Sequence, residues 1–144
     1  MIKVGLNSDS KILALLAINI WVNSSLEELT KEFESFTTKD NNICLIKYDN
    51  NMPIGFAQCT LRNDYVEGSS SSPVGYLEGI YVKDEYRGRG FAKELVEACE
   101  KWAKEKGCKQ FASDCELNNK ESIKFHKVIG FKEANRIVCF IKKI

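Results

Sequence analysis

The chain has 144 residues, 44% of them apolar and 28% charged, and its 21 basic and 20 acidic side chains leave a net charge of +1. That length fits one domain with one core, and the cancelled charge lacks the basic excess that phosphate backbones select, so no nucleic-acid partner is expected. Six cysteines without a C-x-x-C pair, and a single histidine, argue against a metal site and a disulfide framework; the cysteines read as reduced, mostly buried residues of a cytoplasmic protein.

In chain order, Ile2, Val4 and Leu6 alternate with Lys3 and Gly5, which predicts a strand over 2–6. Asn7, Ser8 and Asp9 can cap a helix that carries Ile12, Leu13, Leu16, Ile20 and Trp21 at helical spacing. The apolar run from Ile12 to Val22 is too short to span a bilayer and no small-residue cleavage site follows it, so neither a membrane span nor a signal peptide is expected. Ser25 and Glu28 make a capping box for a second helix with Leu26, Leu29, Phe33 and Phe36 on one side. Residues 43–48 predict a strand, Asp49-Asn50-Asn51 a turn, and 53–61 the next strand. The serine-rich run Glu67 to Pro73 is a loop, and Val74 to Val82 a third strong strand. A polar turn over 83–89 leads into a helix from Gly90 to about Lys106, which Gly107 stops. Residues 108–114 predict a strand, 118–128 a helix and 137–141 a final strand. No repeat or domain boundary interrupts the series, so residues 1–144 read as a single domain, an α/β (α+β) sandwich on a mixed sheet.

The segment with the most chemistry is Leu77-Glu78-Gly79-Ile80-Tyr81-Val82 followed by Arg87-Gly88-Arg89-Gly90-Phe91-Ala92. A strand feeds a glycine-rich turn that opens a helix. Glycines admit a close backbone approach, and the unpartnered first N–H groups of a helix, aided by its dipole, suit an anion such as a pyrophosphate. Arg87 and Arg89 add positive charge. The P-loop ending Gly-Lys-Ser/Thr is absent and the glycine spacing is not that of a dinucleotide fingerprint. A second pattern follows: Asn119-x-x-Ser122-x-x-x-His126-x-x-x-Gly130-Phe131, whose polar members can share one side of a helix.

Together the R-x-x-G-x-A turn and the Asn119–Phe131 pattern resemble the GCN5-related N-acetyltransferase (GNAT) superfamily, in element order over essentially the whole chain. The resemblance implies a mixed six- or seven-stranded sheet that splays between strands four and five, flanked by about four helices, with acetyl-coenzyme A in the gap. By the same resemblance, backbone N–H groups from Arg87 through Gly88, Arg89, Gly90 and Phe91 to Ala92 cradle the pyrophosphate. The strand edge at Ile80, Tyr81 and Val82 pairs with the pantetheine arm as an added strand would, and Asn119 touches that arm.

Within the superfamily the chain is most similar to bacterial aminoglycoside 6′-N-acetyltransferases. The similar segments are Asp64-Tyr65-Val66-Glu67-Gly68, Ser72-Pro73-Val74, Leu77 to Val82, Ala112-Ser113-Asp114 and His126-x-x-x-Gly130-Phe131, with Trp21 late in the first helix. Asn135 and Cys139 depart from that pattern, standing where the subgroup often has an acidic residue and an aromatic one. The implied function is transfer of an acetyl group to the 6′-amine of an aminoglycoside, a resistance activity, and the resemblance also suggests a homodimer. Aminoglycosides are polyamines on sugar rings, which favour carboxylates and an aromatic platform: Glu78 and Asp114, with Trp21, Tyr65 and Tyr76 as ring candidates. On period-two alternation Glu78 shares a strand face with Ile80. Glu78 is the candidate proton acceptor or cation partner for the amine, which attacks the thioester directly with an N–H near Ile80 as oxyanion donor. His126 is the candidate proton donor to the thiolate. Two alternatives stand beside this reading: an acetyltransferase of another amine (a polyamine, a peptide N-terminus or an amino acid), and a non-catalytic acetyl-coenzyme A-binding module.

Overall fold

Residues Ile43-Cys44-Leu45-Ile46 are apolar without alternation, the mark of a strand covered on both faces. The computed structural model, which describes residues 1–144, supplies both covers. Strand β2 (Asn42–Asp49) lies between β1 (Ile2–Val4) and β3 (Met52–Arg62), followed by β4 (Val74–Val82) and β5 (Phe111–Ser113), in the spatial order β1-β2-β3-β4-β5. The first four strands are antiparallel to their neighbours and β5 runs parallel to β4, so the sheet is mixed as expected.

Helices α1 (Ser10–Ala17) and α2 (Leu26–Phe36) cover one face. Leu13, Leu16, Leu29 and Phe33 meet Cys44, Ile46 and Phe56 there, and Phe33 stands edge-on to Phe56 at 6.0 Å between ring centres. Helix α3 (Phe91–Glu105) covers the other face. Its Leu95, Val96 and Cys99 meet Leu45, Ala57, Cys59 and Leu77, and α4 (Lys120–Val128) adds Phe125 at the margin. Successive residues of β2 thus serve opposite cores, which is why the run has no polar member.

Local chemistry sets the ends of these elements. Asn50 and Asn51 both take left-handed backbone conformations, φ 46° and 69°, in the two-residue turn joining β2 to β3; this twist suits a hairpin, and asparagine tolerates it. The Ser25–Glu28 capping box forms in both directions, Glu28 N–H to Ser25 Oγ at 3.1 Å and Ser25 N–H to Glu28 Oε2 at 3.4 Å; such a cap contributes about 1 kcal/mol. The ammonium of Lys47 on β2 is largely buried, bonds Glu94 Oε2 at 2.6 Å and lies 4.7 Å from the centre of the Phe91 ring. That contact pins the first turn of α3 against the sheet.

Several expected elements are shorter, and one is absent. Helix α1 ends at Ala17, leaving Trp21 in the turns that follow; β1 stops at Val4; and the strand expected over 108–114 pairs only at 111–113. The final strand expected over 137–141 does not form, so the sheet has five strands rather than six or seven. A strand needs a ladder partner. The free edge beyond β5 is only three residues long, and the chain after Phe131 is tied elsewhere, with Asn135 Nδ2 donating to Glu67 Oε1 at 2.7 Å. All six cysteines are unpaired with one another; Cys44, Cys59, Cys99 and Cys108 are buried, and Cys115 and Cys139 are exposed. No helix is long and apolar enough to cross a membrane.

Candidate active site

β4 is where the sheet comes apart. It pairs with β3 along its whole length but with β5 only at Gly75, Tyr76 and Leu77. From Glu78 onward its second edge has no strand partner. Lys83 N–H donates to Ile54 O on the β3 side. Antiparallel alternation therefore turns the backbone groups of Val82 and Ile80 to the open side, where Val82 O already accepts from Arg87 Nε at 2.9 Å. Ile80 and Val82 thus offer the free edge that the sequence reading required; Tyr81 directs its backbone to β3 and packs its ring against the core beneath α1 and α2.

Glu78 stands at this fork for a reason that periodicity could not give. In the β3–β4 register Gln58 faces Gly79 and Cys59 faces Leu77, so Glu78 is an extra, unpaired residue: a β-bulge. Bulges re-aim side chains. This one overturns the expectation that Glu78 shares a face with Ile80. Ile80 packs toward α3, whereas Glu78 lines a cleft of about 390 Å³ on the α1–α2 side with Trp21, Leu29, Phe33, Phe36 and Gln58. Gly79 makes the approach of Trp21 feasible, since a Cβ on that glycine would fall 2.6 Å from the indole ring.

The carboxylate of Glu78 is already engaged. Arg62, the last residue of β3, places Nη2 at 2.6 and 3.0 Å from the two Glu78 oxygens and Nε at 3.2 Å from Oε2. The same guanidinium lies 3.4 Å from the centre of the Tyr76 ring, and the Tyr76 hydroxyl donates to Asp114 Oδ2. Burial, and then the Asp114 carboxylate, push the Tyr76 hydroxyl up from its ordinary value, so it remains a donor across the working range. The two acids singled out in the sequence are thereby linked as Glu78–Arg62–Tyr76–Asp114. Trp21 shares the cleft with Glu78. Tyr65 does not: it is 77% exposed on the loop after β3.

On the opposite side of the fork, His126 is held at both nitrogens. Nδ1 lies 2.7 Å from Ser122 O, which can only accept, so this nitrogen carries a proton and donates. Nε2 lies 2.8 Å from Ser113 Oγ, at the last paired residue of β5. Asn119 caps α4, accepting from Ser122 N–H at 3.1 Å through Oδ1 and leaving its amide nitrogen free.

The turn after β4 leaves a run of backbone donors free. Gly88 and Gly90 have φ of 76° and 82°, and nothing lies within 4 Å of a Cβ added to either. Gly90 is the N-cap of α3 and has no side chain to satisfy the helix start. The N–H groups of Gly88, Arg89, Gly90, Phe91 and Ala92 make no hydrogen bond within the chain. The expected cradle loses one member, because Arg87 N–H donates to Asp84 O at 3.2 Å. The Arg87 side chain is also tied, to Val82 O and, at 3.2 Å, to Asp84 Oδ1. Arg89 has no carboxylate partner. Sequence reasoning missed Arg62, which sits in no recognisable motif, and it read Ser113 only as a member of the Ala112-Ser113-Asp114 segment, without a role; each is recruited by register.

Replacement of Gly90 by valine would put a branched side chain into the space in front of these donors. Coenzyme A affinity measured by calorimetry is expected to fall at least tenfold, about 1.4 kcal/mol, in a variant that keeps a cooperative melt. Unchanged affinity would place the cofactor away from this turn.

Comparison with known proteins agrees with this geometry. Residues 13–131 match the family described as Acetyltransferase (GNAT) family. An aminoglycoside N(6′)-acetyltransferase type 1 of Salmonella typhimurium is 40% identical over 110 residues, 76% of each chain. A protein of the same name from Acinetobacter baumannii is 37% identical over 139 residues, 95% of each. Among solved structures, aminoglycoside N-acetyltransferase AAC(6′)-Iy in complex with CoA superposes with a TM-score of 0.96 at 33% identity, covering 100% of this chain and 95% of that one. With its glycine-rich turn, its parted strands and a family match over most of its length, the chain belongs to the acetyltransferase (GNAT) family.

Proposed function

We propose that the protein transfers the acetyl group of acetyl-coenzyme A to the 6′-amine of aminoglycosides and so confers resistance to them. The observation that carries this reading is Glu78, a bulge carboxylate beside an indole ring at the parted strands, already holding a cation. A carboxylate with an aromatic neighbour suits an ammonium on a sugar ring. The relatives reported above are named for 6′-acetylation, and one neighbour, at TM-score 0.95 and 33% identity, is AAC(6′)-Iy with the bisubstrate analogue CoA-S-monomethyl-acetylneamine.

Acetyl-coenzyme A supplies the acetyl thioester. Gly88 to Ala92 hold the pyrophosphate with their free N–H groups, the Ile80–Val82 edge receives the pantetheine, and Asn119 offers its amide nitrogen. Glu78 draws in the substrate ammonium and takes its proton, directly or through a water. The N–C bond then forms as the C–S bond breaks. Protonated His126 passes a proton from Nε2 through the Ser113 hydroxyl to the departing thiolate, while Nδ1 keeps its bond to Ser122 O. Trp21 covers an apolar sugar face, with Asp114 and Tyr65 at more distant amines. The cysteines, unpaired with one another, suit a cytoplasmic site of action, where thiols stay reduced.

We also infer a homodimer that covers residues 137–141. Ile137, Val138, Phe140 and Ile141 are exposed, the last two at 91% and 100%, and successive positions are apolar as in a strand buried on both faces. A single copy leaves that surface in water, which soluble monomers avoid.

Two measurements test these readings. Thiol release from acetyl-coenzyme A should be rapid with kanamycin or tobramycin and absent with close analogues bearing a 6′-hydroxyl; equal turnover of both would refute the 6′ assignment, and turnover of neither would point to another amine. Alkylation of the native protein should modify Cys115 faster than Cys139, and a variant ending at Asn135 should elute as a monomer. A full-length protein that elutes as a monomer would overturn the dimer, and a truncated variant that still elutes as a dimer would place its interface away from residues 137–141.

A further inference from the structure

Arg62 is absorbed by neither the fold nor the proposed chemistry. It ends β3 immediately before the loop that starts at Asn63, and its side chain is 42% exposed while that of Glu78 is 23% exposed. Its guanidinium is forked onto both Glu78 oxygens and lies over the Tyr76 ring, 3.4 Å from its centre, while the Tyr76 hydroxyl donates to Asp114. A cation forked on a carboxylate and resting on an aromatic face is the arrangement a substrate ammonium would itself adopt.

We propose that Arg62 is an internal substitute for the substrate cation: it occupies the amine position at Glu78 in the free enzyme, and the arriving ammonium displaces it. The inference rests on the reading of Glu78 as the amine's partner. Four features support displacement rather than permanent attachment. The pair is open to water, so water can replace each lost contact. Both Glu78 oxygens are taken, so a substrate ammonium in direct contact must compete with Nη2 or Nε. The Tyr76 ring, which the guanidinium already touches, can retain it in the site when its bonds to Glu78 break. Arg62 borders a loop and is paired with the strand on only one side of its backbone, at Val74. Displacement has a definite consequence. A site competent for substrate only while Arg62 is away has its apparent affinity reduced by the fraction of time Arg62 is absent. Arg62 then sets a threshold: a polyamine with several charges overcomes it, and a monoamine with one charge does so poorly. The same guanidinium keeps the half-buried Glu78 from being an unpaired charge when no substrate is bound.

The test is a kinetic double-mutant cycle on the full-length protein with Arg62→Gln, Glu78→Gln and the pair, using kanamycin and a simple primary monoamine as probes. Arg62→Gln should lower KM for kanamycin by roughly three- to tenfold and raise the relative kcat/KM of the monoamine by more, and both effects should vanish in the Glu78→Gln background. Arg62→Lys, which keeps the charge but not the fork, should fall between wild type and Arg62→Gln, and melting curves establish that each variant is folded. If Arg62→Gln leaves KM unchanged or raises it while Glu78→Gln is impaired, Arg62 only positions Glu78 and the displacement idea is wrong. If Glu78→Gln alone alters neither KM nor kcat, it is the reading of Glu78 that fails.

Discussion

Everything in the site depends on where β4 loses its second neighbour. Up to Leu77 the strand is bonded on both edges; from Glu78 it is bonded only to β3. Hydrogen-bond demand does not disappear at that point. It is transferred to whatever enters the gap, and an extended amide-bearing molecule is the natural occupant. The parting also brings three chemically distinct groups to one place: the bulge carboxylate on one side, the Ser113–His126 pair on the other, and the free N–H groups of the glycine turn beyond. A longer β5 would have closed the gap along β4.

The second organising feature is electrostatic. Glu78 is an acid in a strand whose other side chains are apolar, and an uncompensated carboxylate there would be costly. Arg62 compensates it across the hairpin. Because both side chains reach water, the pair contributes at most about 1 kcal/mol to folding, which is small enough for a bound ligand to exchange. Lys47 and Glu94 form the contrasting case, with the ammonium buried against Phe91 and the pair fixed between sheet and helix. One ion pair holds the scaffold that carries the glycine turn, and the other sits where exchange is useful.

Much of this was legible in the residues. The strand at 43–48, the turn at Asp49-Asn50-Asn51 and the Ser25–Glu28 box each state a local rule, and each forms within a residue of where it was read. The glycine turn was legible because missing side chains and an uncapped helix start are properties of the sequence itself. The bulge was not: it is a mismatch between two strands, and counting by twos along one of them placed Glu78 with Ile80. Arg62 was hidden for the same reason, since only cross-strand register brings it to Glu78. The expected last strand failed on a different point. Its residues have strand character on both faces, but strand character does not supply a partner, and the chain's own sheet edge is too short to be one.

The central claim is that Glu78 handles the amine. Steady-state kinetics of Glu78→Gln, which preserves shape and removes basicity, tests it most directly when combined with calorimetry of acetyl-coenzyme A binding. The account predicts a fall in kcat of roughly 10²–10⁴ if proton transfer dominates, or a raised KM if cation pairing does, with cofactor affinity intact because its contacts at β4 are to backbone. A folded Glu78→Gln enzyme with wild-type kcat and KM toward kanamycin would contradict it.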